Sequence, residues 1–422
     1  MTAITEERTE EATQTPPAAA ETPPATAGVP SHRESSATVA ARTRVSGVVD
    51  LTDGRGYLRT AGYRRSPGDI PLTASLVRQY GLRKGDQIDA AVTGDRTGAT
   101  SGGAGGKGTA DGQRPRPAGR VDVTAINGQP PDEARKRRHF DDLTPLYPNQ
   151  RFRLEDGDPS PAVRIIDLVS PIGKGQRGLI VAPPKAGKTT VLKTIAHAIA
   201  TAYPDVHLML VLVGERPEEV TDLRRSIRGE VISSTFDQSP ADHVLAAELA
   251  IERAKRLAEL GLDVVVMLDS LTRLGRAYNM AAPANGRTLS GGVAVSALQP
   301  PRQFLGAARC LEEGGSLTIL STVLVDTGSQ MDNVLFEEFK GTGNMELRLR
   351  RDLAEKRLFP AIDAVPSGTR RDDLLLDPAE HAAVTSLRRA LAALDPQHAL
   401  ELLLEKTATS NEKFLRQIRD SQ

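Results

Sequence analysis

The sequence predicts an α/β core around a buried, helix-covered sheet, preceded by a small all-β barrel and a disordered N-terminal tail. Three observations predict this order. Continuous apolar runs in the second half of the chain are typical of strands buried on both faces. Short strand-like segments separated by turn residues come before them. The first 45 residues contain no aromatic residue and are rich in Ala, Thr, Pro and Glu, a composition that cannot offset the entropy lost on ordering.

Composition narrows the class of protein. The 422 residues are 39% hydrophobic, enough for a sizeable core, yet the longest apolar runs fall far short of the ~18 residues that a membrane helix needs. The N-terminus is acidic where a signal peptide is basic and then apolar. Lys+Arg and Asp+Glu are equal at 54 each, which excludes a uniformly basic nucleic-acid coat but not local patches. The single cysteine excludes a disulfide framework and a cysteine-cluster metal site. We therefore expect a cytoplasmic protein that does not contact a membrane.

The N-terminal part of the chain divides into a tail and a barrel. Residues 1–45 are the predicted disordered tail, and residues 46–127 are the predicted barrel. Residues 94–120 contain no large apolar residue and many glycines, which predicts a flexible loop inserted in the barrel. The predicted barrel strands are Val48–Leu51, Gly56–Arg59, Asp69–Leu72, Gln87–Val92 and Arg120–Ile126, with a helical stretch at Ala74–Tyr80.

Residues 128–150 are predicted to be a basic linker. It contains the run Arg135-Lys136-Arg137-Arg138, for which two interpretations are open. A charge run is usually a solvated surface. Alternatively, these cations contact nucleic-acid phosphates.

Residues 151–422 form the predicted α/β domain. Its apolar runs alternate with helical stretches, as in a parallel sheet covered by helices. The helical stretch Asp242–Leu260 begins after Ser239-Pro240, a helix cap followed by proline at the first position. A second helical stretch, Thr190–Ala202, places its apolar residues on one face. The predicted strands of the domain are Leu179–Ala182, Leu208–Val213, Val264–Leu268 and Leu317–Val325.

A phosphate-binding loop is predicted between the first of these strands and the helix that follows it. Ala182-Pro-Pro-Lys-Ala-Gly-Lys-Thr189 has P-loop spacing, with alanine at the usual first glycine. Backbone N–H groups around Gly187 would form a nest for phosphate oxygens at the positive end of the helix. Lys188 is expected to reach the β- and γ-phosphates, and the Thr189 hydroxyl to ligate Mg²⁺. The predicted cofactors are therefore ATP and Mg²⁺.

Two acids at strand ends complete the predicted site. Asp269 ends an apolar strand, at the edge where open α/β sheets bind ligands, and is expected to hold Mg²⁺ through its water shell. Glu215 is the first acid after another strand and is expected to polarise the attacking water. An alternative is that Glu215, Glu218 and Glu219 form a helix N-terminal acid cluster. We apply that alternative to Glu218 and Glu219 and expect Glu215 to be catalytic.

Several motifs together resemble the Rho family of bacterial transcription termination factors. They are APPKAGKT, ERPEEVTDLRR, LDSLTRLGRAYN, GGSLTILSTVLVDTGSQMDN, FEEFKGTGNMEL and EKRLFPAIDAVPSGTRR. The resemblance runs from Leu143 to the end and, more weakly, from Ser46 to Ile126. It implies a RecA-like P-loop ATPase core, an OB-fold (cold-shock-like) barrel and a ring-shaped homohexamer. Such a ring binds single-stranded RNA on its barrels, threads it through the central pore, translocates 5′ to 3′ and dismantles the RNA polymerase transcription complex.

The resemblance also assigns residues to the nucleotide site. Arg370 is expected to be an arginine finger that reaches the neighbouring subunit's nucleotide, so that hydrolysis requires oligomerisation. Phe359 is expected to pack on adenine, and Arg216 and Arg273 to lie near the phosphates or the subunit interface. Taken alone, each of these arginines would more often be a salt-bridge partner. The other implied nucleotide-binding residues are Gly173, Lys174, Gly175, Gln176, Arg177, Gly178, Lys185, Ala186, Gly187 and Thr190.

RNA contacts are implied for the barrel and for two pore loops. Gln330 stands where the family's second pore loop usually has lysine, which removes one positive charge from each subunit. In the first pore loop Arg287 replaces lysine and keeps the charge. We expect the loss at Gln330 to weaken RNA binding in the pore and to slow RNA-stimulated turnover. The implied RNA-binding residues are Gly54, Arg55, Gly56, Tyr57, Leu58 and Arg59 in the barrel, and Arg287, Thr327, Gly328 and Gln330 in the pore.

The barrel departs from the family pattern too. Aromatic residues are common at both variable positions of its DGxGxLR strand, but this chain has Arg55 and Tyr57, and Pro71 lacks the ring of a third stacking position. We expect RNA binding that persists with less discrimination between pyrimidines and purines, with Arg55 stacking its guanidinium on a base. Gly214 stands where an acid is common, and the sequence gives no physical account of that change.

Two other functions remain open from the sequence. A hexameric RNA-binding regulator with weak motor activity would keep every nucleotide-binding residue. A rotary or protein-export ATPase subunit shares the core, but the barrel and the DTGSQMDN and KGTGNMEL blocks argue against it. RNA stimulation of ATP hydrolysis separates the termination factor from the export ATPase. Displacement of a paired strand or of a stalled polymerase separates it from the regulator.

Overall fold

The computed structural model describes residues 42–52, 54–93, 120–283 and 286–420. The predicted tail up to residue 41 and the predicted insertion up to residue 119 lie outside these ranges. Residues 42–45 belong to the first strand, so the predicted tail boundary at residue 45 is wrong. Their backbone pairs with residues 90–93 of a neighbouring strand, with Arg42 opposite Thr93. Backbone pairing, which composition does not reveal, orders this segment.

The N-terminal domain is a curled antiparallel sheet that, in the described part of the chain, has five strands in the order β3-β2-β1-β4-β5. Val49, Leu58 and Ile88 are buried in its core. Ile70 of β3 and Val121 of β5 contact one further cluster, so the two edge strands approach each other as in a barrel. The predicted barrel is therefore confirmed. Its elements are β1 (Arg42–Thr52), β2 (Arg55–Arg59), β3 (Ile70–Leu72), α1 (Ala74–Tyr80), β4 (Gln87–Thr93) and β5 (Arg120–Ile126).

The segment predicted to be a linker is folded. The guanidinium of Arg137 is buried and lies 2.5 Å from Asp86 of the barrel and 3.6 Å from Glu259 of the core. Both interpretations of the basic run are wrong for Arg137, because acids distant in sequence surround its side chain. Arg137 joins the two domains instead. The elements of this region are α2 (Pro131–Ala134), β6 (Pro145–Leu146) and β7 (Arg151–Phe152).

The C-terminal domain has a largely parallel sheet. Within the described ranges it has nine strands, of which seven follow the order β11-β10-β12-β14-β9-β15-β16, and all neighbours up to β15 are parallel. The first elements of the domain are α3 (Pro161–Val169), β8 (Ile172–Gly173), β9 (Arg177–Ala182), α4 (Lys188–Ala202), β10 (His207–Glu215), α5 (Pro217–Ser226), β11 (Glu230–Thr235), α6 (Pro240–Ala258), β12 (Asp263–Asp269) and α7 (Leu271–Ala281). The later elements are α8 (Gln299–Gly306), β13 (Arg309–Leu311), β14 (Ser316–Leu324), α9 (Gln330–Lys340), β15 (Met345–Leu349), α10 (Arg351–Glu355), β16 (Ile362–Thr369), α11 (Pro378–Ala392), α12 (Pro396–Lys406) and α13 (Asn411–Asp420).

Helices cover both faces of this sheet, as predicted. Leu210 belongs to the hydrophobic cluster under α3, α4 and α11, and Val211 belongs to the cluster under α6, α7 and α9. Successive strand residues point to opposite faces, so burial of both faces explains the continuous apolar runs. The predicted cap of α6 is also present, because the Ser239 hydroxyl accepts from Asp242 N. Among the residues described, no helix combines the length and apolar character needed to cross a bilayer.

Candidate nucleotide site and RNA-facing surfaces

The P-loop connects the end of β9 to the start of α4. Gly187 has left-handed backbone geometry (φ 90°) directly before the helix, which a larger side chain would strain. Ala186 is buried, whereas Lys185 is exposed at the mouth of the loop. The unpaired N–H groups at the start of a helix make this connection an anion-binding site.

Lys188 lies between two buried carboxylates. Its Nζ is 3.2 Å from Glu215 Oε1 and also donates to Asp269 Oδ1. The Glu215 and Asp269 side chains are 4% and 0% exposed. Burial and then the negative charge of Asp269 raise the pKa of Glu215, while Lys188 and Arg273 oppose that rise. The structure thus brings three of the predicted site residues together at the edge where β9, β10 and β12 end.

Asp269 and Thr189 fit a magnesium ion. Asp269 Oδ1 accepts from Thr322 Oγ1 at 2.7 Å, and Oδ2 is buried without a hydrogen-bond partner. Such an oxygen suits a cation or its bound water. Thr189 is half-buried in the first turn of α4, with its hydroxyl as the other predicted ligand. The described residues contain no cluster of three or more His, Cys, Asp or Glu ligands.

Arg273 gives the physical reason for glycine at position 214. Arg273 Nη1 lies 3.1 Å from Glu215 Oε2 and donates to the carbonyl oxygen of Gly214. Gly214 has φ 67° and lies at a register shift between β10 and β11. A Cβ atom at Gly214 would lie 3.2 Å from Cδ of Arg273. A side chain there would strain the backbone and displace Arg273, so glycine lets Arg273 close over the glutamate.

Phe359 and Arg216 lie at the same edge of the sheet as the P-loop. Arg348 of β15 pairs with Val181, the residue before the P-loop, so the connection from β15 to β16 that carries Phe359 lies at this edge. Phe359 is 51% exposed, and its ring is open to a ligand. Arg216 is exposed and pairs with Glu219 at 3.2 Å. Thr190, the remaining predicted residue of this helix start, is exposed.

The predicted nucleotide-binding segment Gly173–Gly178 does not line the P-loop of its own chain. Arg177 begins β9, whereas the P-loop follows the end of β9 at Ala182, roughly 16 Å further along the strand. The segment contacts Asn344 instead, since Arg177 N donates to Asn344 Oδ1 at 2.9 Å. The prediction is therefore wrong for the nucleotide of the same chain. The reason is strand direction, because this segment precedes β9 and the P-loop follows it.

Arg370 lies at this opposite edge as well. It follows β16, and its backbone N donates to the carbonyl oxygen of Asn344 at 2.8 Å. Its side chain is exposed. Burial, and then the positive charges of Arg309 and Arg370, lower the pKa of the neighbouring Arg177. The exposed Arg370 therefore lies at the end of the sheet opposite to Lys188 of the same chain.

The barrel surface carries a recess of about 500 Å³ that Arg55, Tyr57, Arg59 and Arg65 help to line. Arg59 is almost buried: its Nε donates to Asp50 Oδ2 at 3.0 Å. Its guanidinium carbon lies 5.0 Å from the centre of the Tyr57 ring. Arg59 therefore supports Tyr57, while Arg55 projects freely.

Two residues of the predicted RNA-binding strand face away from solvent. Leu58 is fully buried in the barrel core. Gly56 is buried so closely that a Cβ atom there would lie 3.1 Å from Cβ of Leu72. The prediction that Leu58 and Gly56 contact RNA is wrong, because strand side chains alternate between faces. Gly54 is exposed at the preceding turn, with φ 74°.

The two predicted pore loops touch each other. Gly328 has φ 76°, and Gln330 begins α9 with its side chain exposed. Gly291 of the first loop lies so near the second that a Cβ atom on it would be 2.9 Å from Met331 N. Arg287 of the first loop is exposed. The exposed polar groups of both loops are therefore on adjoining segments.

Sequence reasoning missed the ion pair beneath the second pore loop. Asp332 is buried and accepts from Arg276 Nε at 2.8 Å and from Arg276 Nη2 at 2.6 Å. It also accepts from Thr327 Oγ1 at 2.6 Å, so the hydroxyl of this predicted RNA contact is already engaged. The available signal was the spacing of Arg273 and Arg276, which places both on one face of α7.

Two family descriptions match the chain. Residues 162–369 match the nucleotide-binding domain of the ATP synthase alpha/beta family. Residues 45–132 match the RNA-binding domain of the Rho termination factor. The two matches correspond to the α/β domain and to the barrel.

Curated proteins named transcription termination factor Rho match most of the chain. The protein of Streptomyces lividans is 56% identical over 376 residues, which are 89% of this chain and 51% of that protein. The protein of Mycobacterium tuberculosis (strain H37Rv) is 55% identical and is covered over 61% of its length. The protein of Streptosporangium roseum is 54% identical over 395 residues, which are 93% of this chain and 96% of that protein. The chain therefore spans about half of the longer relatives and nearly all of the shorter one.

Solved structures support the core fold. An ATPase of a type III secretion system aligns with a TM-score of 0.56 at 25% identity, over 66% of this chain and 87% of that one. The ATP synthase subunit NeqB of Nanoarcheaum equitans aligns with a TM-score of 0.50 at 16% identity, over 64% of this chain and 70% of that one. The second likeness shows the fold alone. Both are P-loop ATPase-like α/β folds, as predicted for residues 151–422.

Proposed function

The chain belongs to the Rho family of transcription termination factors, and from this premise we propose that it is a cytoplasmic, RNA-dependent ATPase that works as a homohexameric ring. It would bind nascent single-stranded RNA, translocate along it 5′ to 3′ and release transcripts from RNA polymerase. The observation that carries the proposal is the placement of Lys188 and Arg370 at opposite ends of the strands of one sheet. Lys188 lies at the carboxyl ends of the parallel strands, and Arg370 lies at their amino ends. One chain then offers a phosphate site at one edge and an arginine to its neighbour at the other.

The nucleotide edge has the groups that ATP hydrolysis needs. Lys188 pairs with both Glu215 and Asp269. The phosphates of ATP compete for Lys188, which frees Glu215 to accept a proton from the attacking water. Thr189 and Asp269 would hold Mg²⁺, which would supply positive charge to the phosphate oxygens. Arg273 keeps Glu215 oriented and favours its ionised form.

Arg370 acts in the neighbouring subunit. Its exposed guanidinium would approach the γ-phosphate bound by the next protomer and stabilise the charge of the transition state, an effect on the order of 10³–10⁵ in kcat in other phosphoryl-transfer enzymes. Phe359 is the ring against which adenine would pack at the P-loop edge.

RNA would be bound at two places. On the barrel, the Tyr57 ring offers a stacking surface and Arg55 a flat cation. In the pore, the adjoining loops of Arg287 and Gln330 present exposed side chains and backbone amides to a sugar-phosphate chain. The pore loops would contact the sugar-phosphate chain without reading base edges, which suits movement along RNA of varied sequence.

The proposal is tested by ATP hydrolysis of the full chain with and without poly(C), together with its mass in solution. We expect a hexamer whose ATPase is stimulated by RNA, abolished by Lys188→Ala, and lowered about 10³-fold to a residual, measurable rate by Arg370→Ala. Mixing these two variants should restore activity, because a Lys188→Ala subunit can lend its finger to a neighbour with an intact P-loop. Arg371→Ala is the matched control, since this adjacent exposed arginine pairs with Asp373. A monomer, or hydrolysis at one rate with and without RNA, would overturn the proposal.

A strand-displacement assay on the same preparation distinguishes a motor from an RNA-binding regulator. A motor displaces a strand paired to the RNA downstream of its loading site when ATP is present. A regulator with the same fold would bind that RNA and leave the duplex intact. Displacement without ATP would also contradict a motor.

A further inference from the structure

The backbone that carries Arg370 is held by a set of buried amide contacts. The carbonyl oxygen of Asn344 accepts from Arg370 N at 2.8 Å, and Asn344 N donates to the carbonyl oxygen of Arg177 at 2.9 Å. Asn344 precedes β15, Arg177 begins β9, and Arg370 follows β16. The three strands are neighbours in the sheet, so Asn344 links the start of β9 to the residue that bears the exposed guanidinium.

Gln176 fixes the side chain of Asn344. Gln176 Nε2 donates to Asn344 Oδ1 at 2.7 Å and to its carbonyl oxygen at 3.2 Å. Arg177 N donates to the same Oδ1 at 2.9 Å. Gln176 is 1% exposed, and its own Oε1 accepts from Gly173 N at 3.3 Å. These contacts use the side-chain amide of Asn344 only as an acceptor.

The strand before Arg370 is held on its other side as well. Thr369 Oγ1 donates to the carbonyl oxygen of Pro171 at 2.6 Å. Arg388 Nη1 donates to the carbonyl oxygen of Ser367 at 2.9 Å. An exposed cation on a backbone fixed from both sides is preorganised to meet charge that develops elsewhere. Stability alone would not require the backbone of an exposed residue such as Arg370 to be held by contacts on both sides.

We propose that Asn344 and Gln176 are positioning residues for Arg370, setting the backbone from which its guanidinium reaches the neighbouring subunit's nucleotide. This inference rests on the proposed function. The inference gives the segment Gly173–Gly178 a role in catalysis, although this segment lies far from the P-loop of its own chain. The segment would shape the next protomer's active site by orienting the finger.

The test measures kcat and KM for ATP with saturating RNA, in full-length variants that still form rings. Asn344→Leu and Gln176→Met remove the amide at similar volume and should each lower kcat about 10- to 100-fold, the loss expected from a misplacement near 1 Å. KM should change less than about threefold, because the finger contributes to the transition state and not to ground-state binding. Asn344→Asp keeps both acceptor contacts and should retain kcat within about threefold.

A double-mutant comparison separates positioning from general damage. In the Arg370→Ala background, Asn344→Leu and Gln176→Met should change kcat less than about twofold, because the group they orient is gone. Asn411→Leu, at a buried asparagine in α13 whose side-chain amide donates to the carbonyl oxygen of Arg164, is the matched control and should leave kcat unchanged.

The possible outcomes distinguish this inference from the proposed function. If Arg370→Ala leaves kcat unchanged, the proposed finger itself is overturned. If Arg370→Ala lowers kcat but the two amide variants do not, or if they lower it equally in the Arg370→Ala background, only the positioning inference is overturned. Should Asn344→Leu fail to assemble, Gln176→Met alone decides, since it leaves Asn344 in place.

Discussion

The nucleotide edge and the RNA-facing surface of the barrel differ in how far their residues depend on one another. At the nucleotide edge, Glu215 and Asp269 share Lys188 in a buried cluster, so replacing one member leaves an uncompensated charge. On the barrel, Arg55 is exposed and Tyr57 half-buried, and each can meet RNA separately. The first region has the residue types expected for phosphoryl transfer, and the second departs from the family pattern. The buried charges of the nucleotide site therefore depend on one another, whereas the residues of the barrel surface can be replaced one at a time.

The largest effect is expected for Glu215, which belongs to this buried cluster of charges. Glu215→Gln should lower kcat about 10²- to 10⁴-fold, because the group that accepts the proton is lost. ATP binding should persist, since Lys188 and the P-loop N–H groups remain. Single-turnover hydrolysis and equilibrium binding of ATP measure the two quantities separately. A kcat within threefold of the parent chain would remove Glu215 from the catalytic role.

The second prediction extends the comparison to the contact between the two domains. Arg137→Met should lower the free energy of unfolding by about 3 kcal/mol, because it leaves Asp86 and Glu259 buried with one cation fewer. Lys136→Met is the matched control: Lys136 is exposed and pairs with the exposed Glu133, so its loss should change stability little. Urea unfolding measures both, and equal effects would contradict the proposed importance of burial.

The third prediction concerns stacking on the barrel. Tyr57→Ala should weaken binding of single-stranded RNA by about 1–3 kcal/mol, the usual value of one base stacked on an aromatic ring. Tyr57→Phe keeps the ring and should bind like the parent chain. Fluorescence titration with poly(C) and poly(A) measures affinity and base preference together. Tight binding with strong cytosine selectivity in the parent chain would contradict the weakened discrimination expected from Arg55 and Pro71.

The fourth prediction restores a charge in the pore. Gln330→Lys should raise RNA-stimulated turnover a few-fold and steepen the dependence of RNA affinity on salt, because each added phosphate contact releases about one more counterion. Gln330 is exposed at the start of α9, so the change should leave stability intact. Steady-state ATPase at saturating RNA and titrations at several salt concentrations measure the two effects. Unchanged turnover would show that this position does not limit the cycle.

The smallest expected effect is a shift in the pH dependence of kcat. The proposed mechanism requires ionised Glu215, and burial beside Asp269 raises the pKa of Glu215 above its ordinary value. As pH falls, kcat should therefore decline earlier than an ordinary glutamate would allow. Arg273 opposes the rise in pKa, so Arg273→Gln should move the acid limb to still higher pH. The pH dependence of kcat in both proteins measures this, and coincident acid limbs would contradict it.

Local patterns made much of this molecule predictable. The apolar runs gave the sheet and its double burial, and the spacing from Ala182 to Thr189 gave the P-loop, because each depends on residues close together in sequence. Glu215 and Asp269 were predictable for a related reason, since both end buried strands whose carboxyl ends share one edge.

Other features depend on which distant segments meet, and the sequence did not reveal them. Arg137 belongs to a charge run in the sequence, whereas its acidic partners lie on other elements. Leu58 belongs to the predicted RNA-binding strand, whereas the fold of β2 buries its side chain in the core. The contacts of Gln176 with Asn344 depend on the order of strands in the sheet, which neither residue's neighbours in sequence indicate.

The placement of Lys188 and Arg370 at opposite edges of one sheet also bears on inheritance. In the proposed ring, a polypeptide damaged at both of these positions would impair its own site and that of the protomer beside it. A cell that carries one damaged and one normal allele would then lose more than half of its activity. Such mutations should behave as dominant, whereas mutations that merely unfold the chain should be recessive.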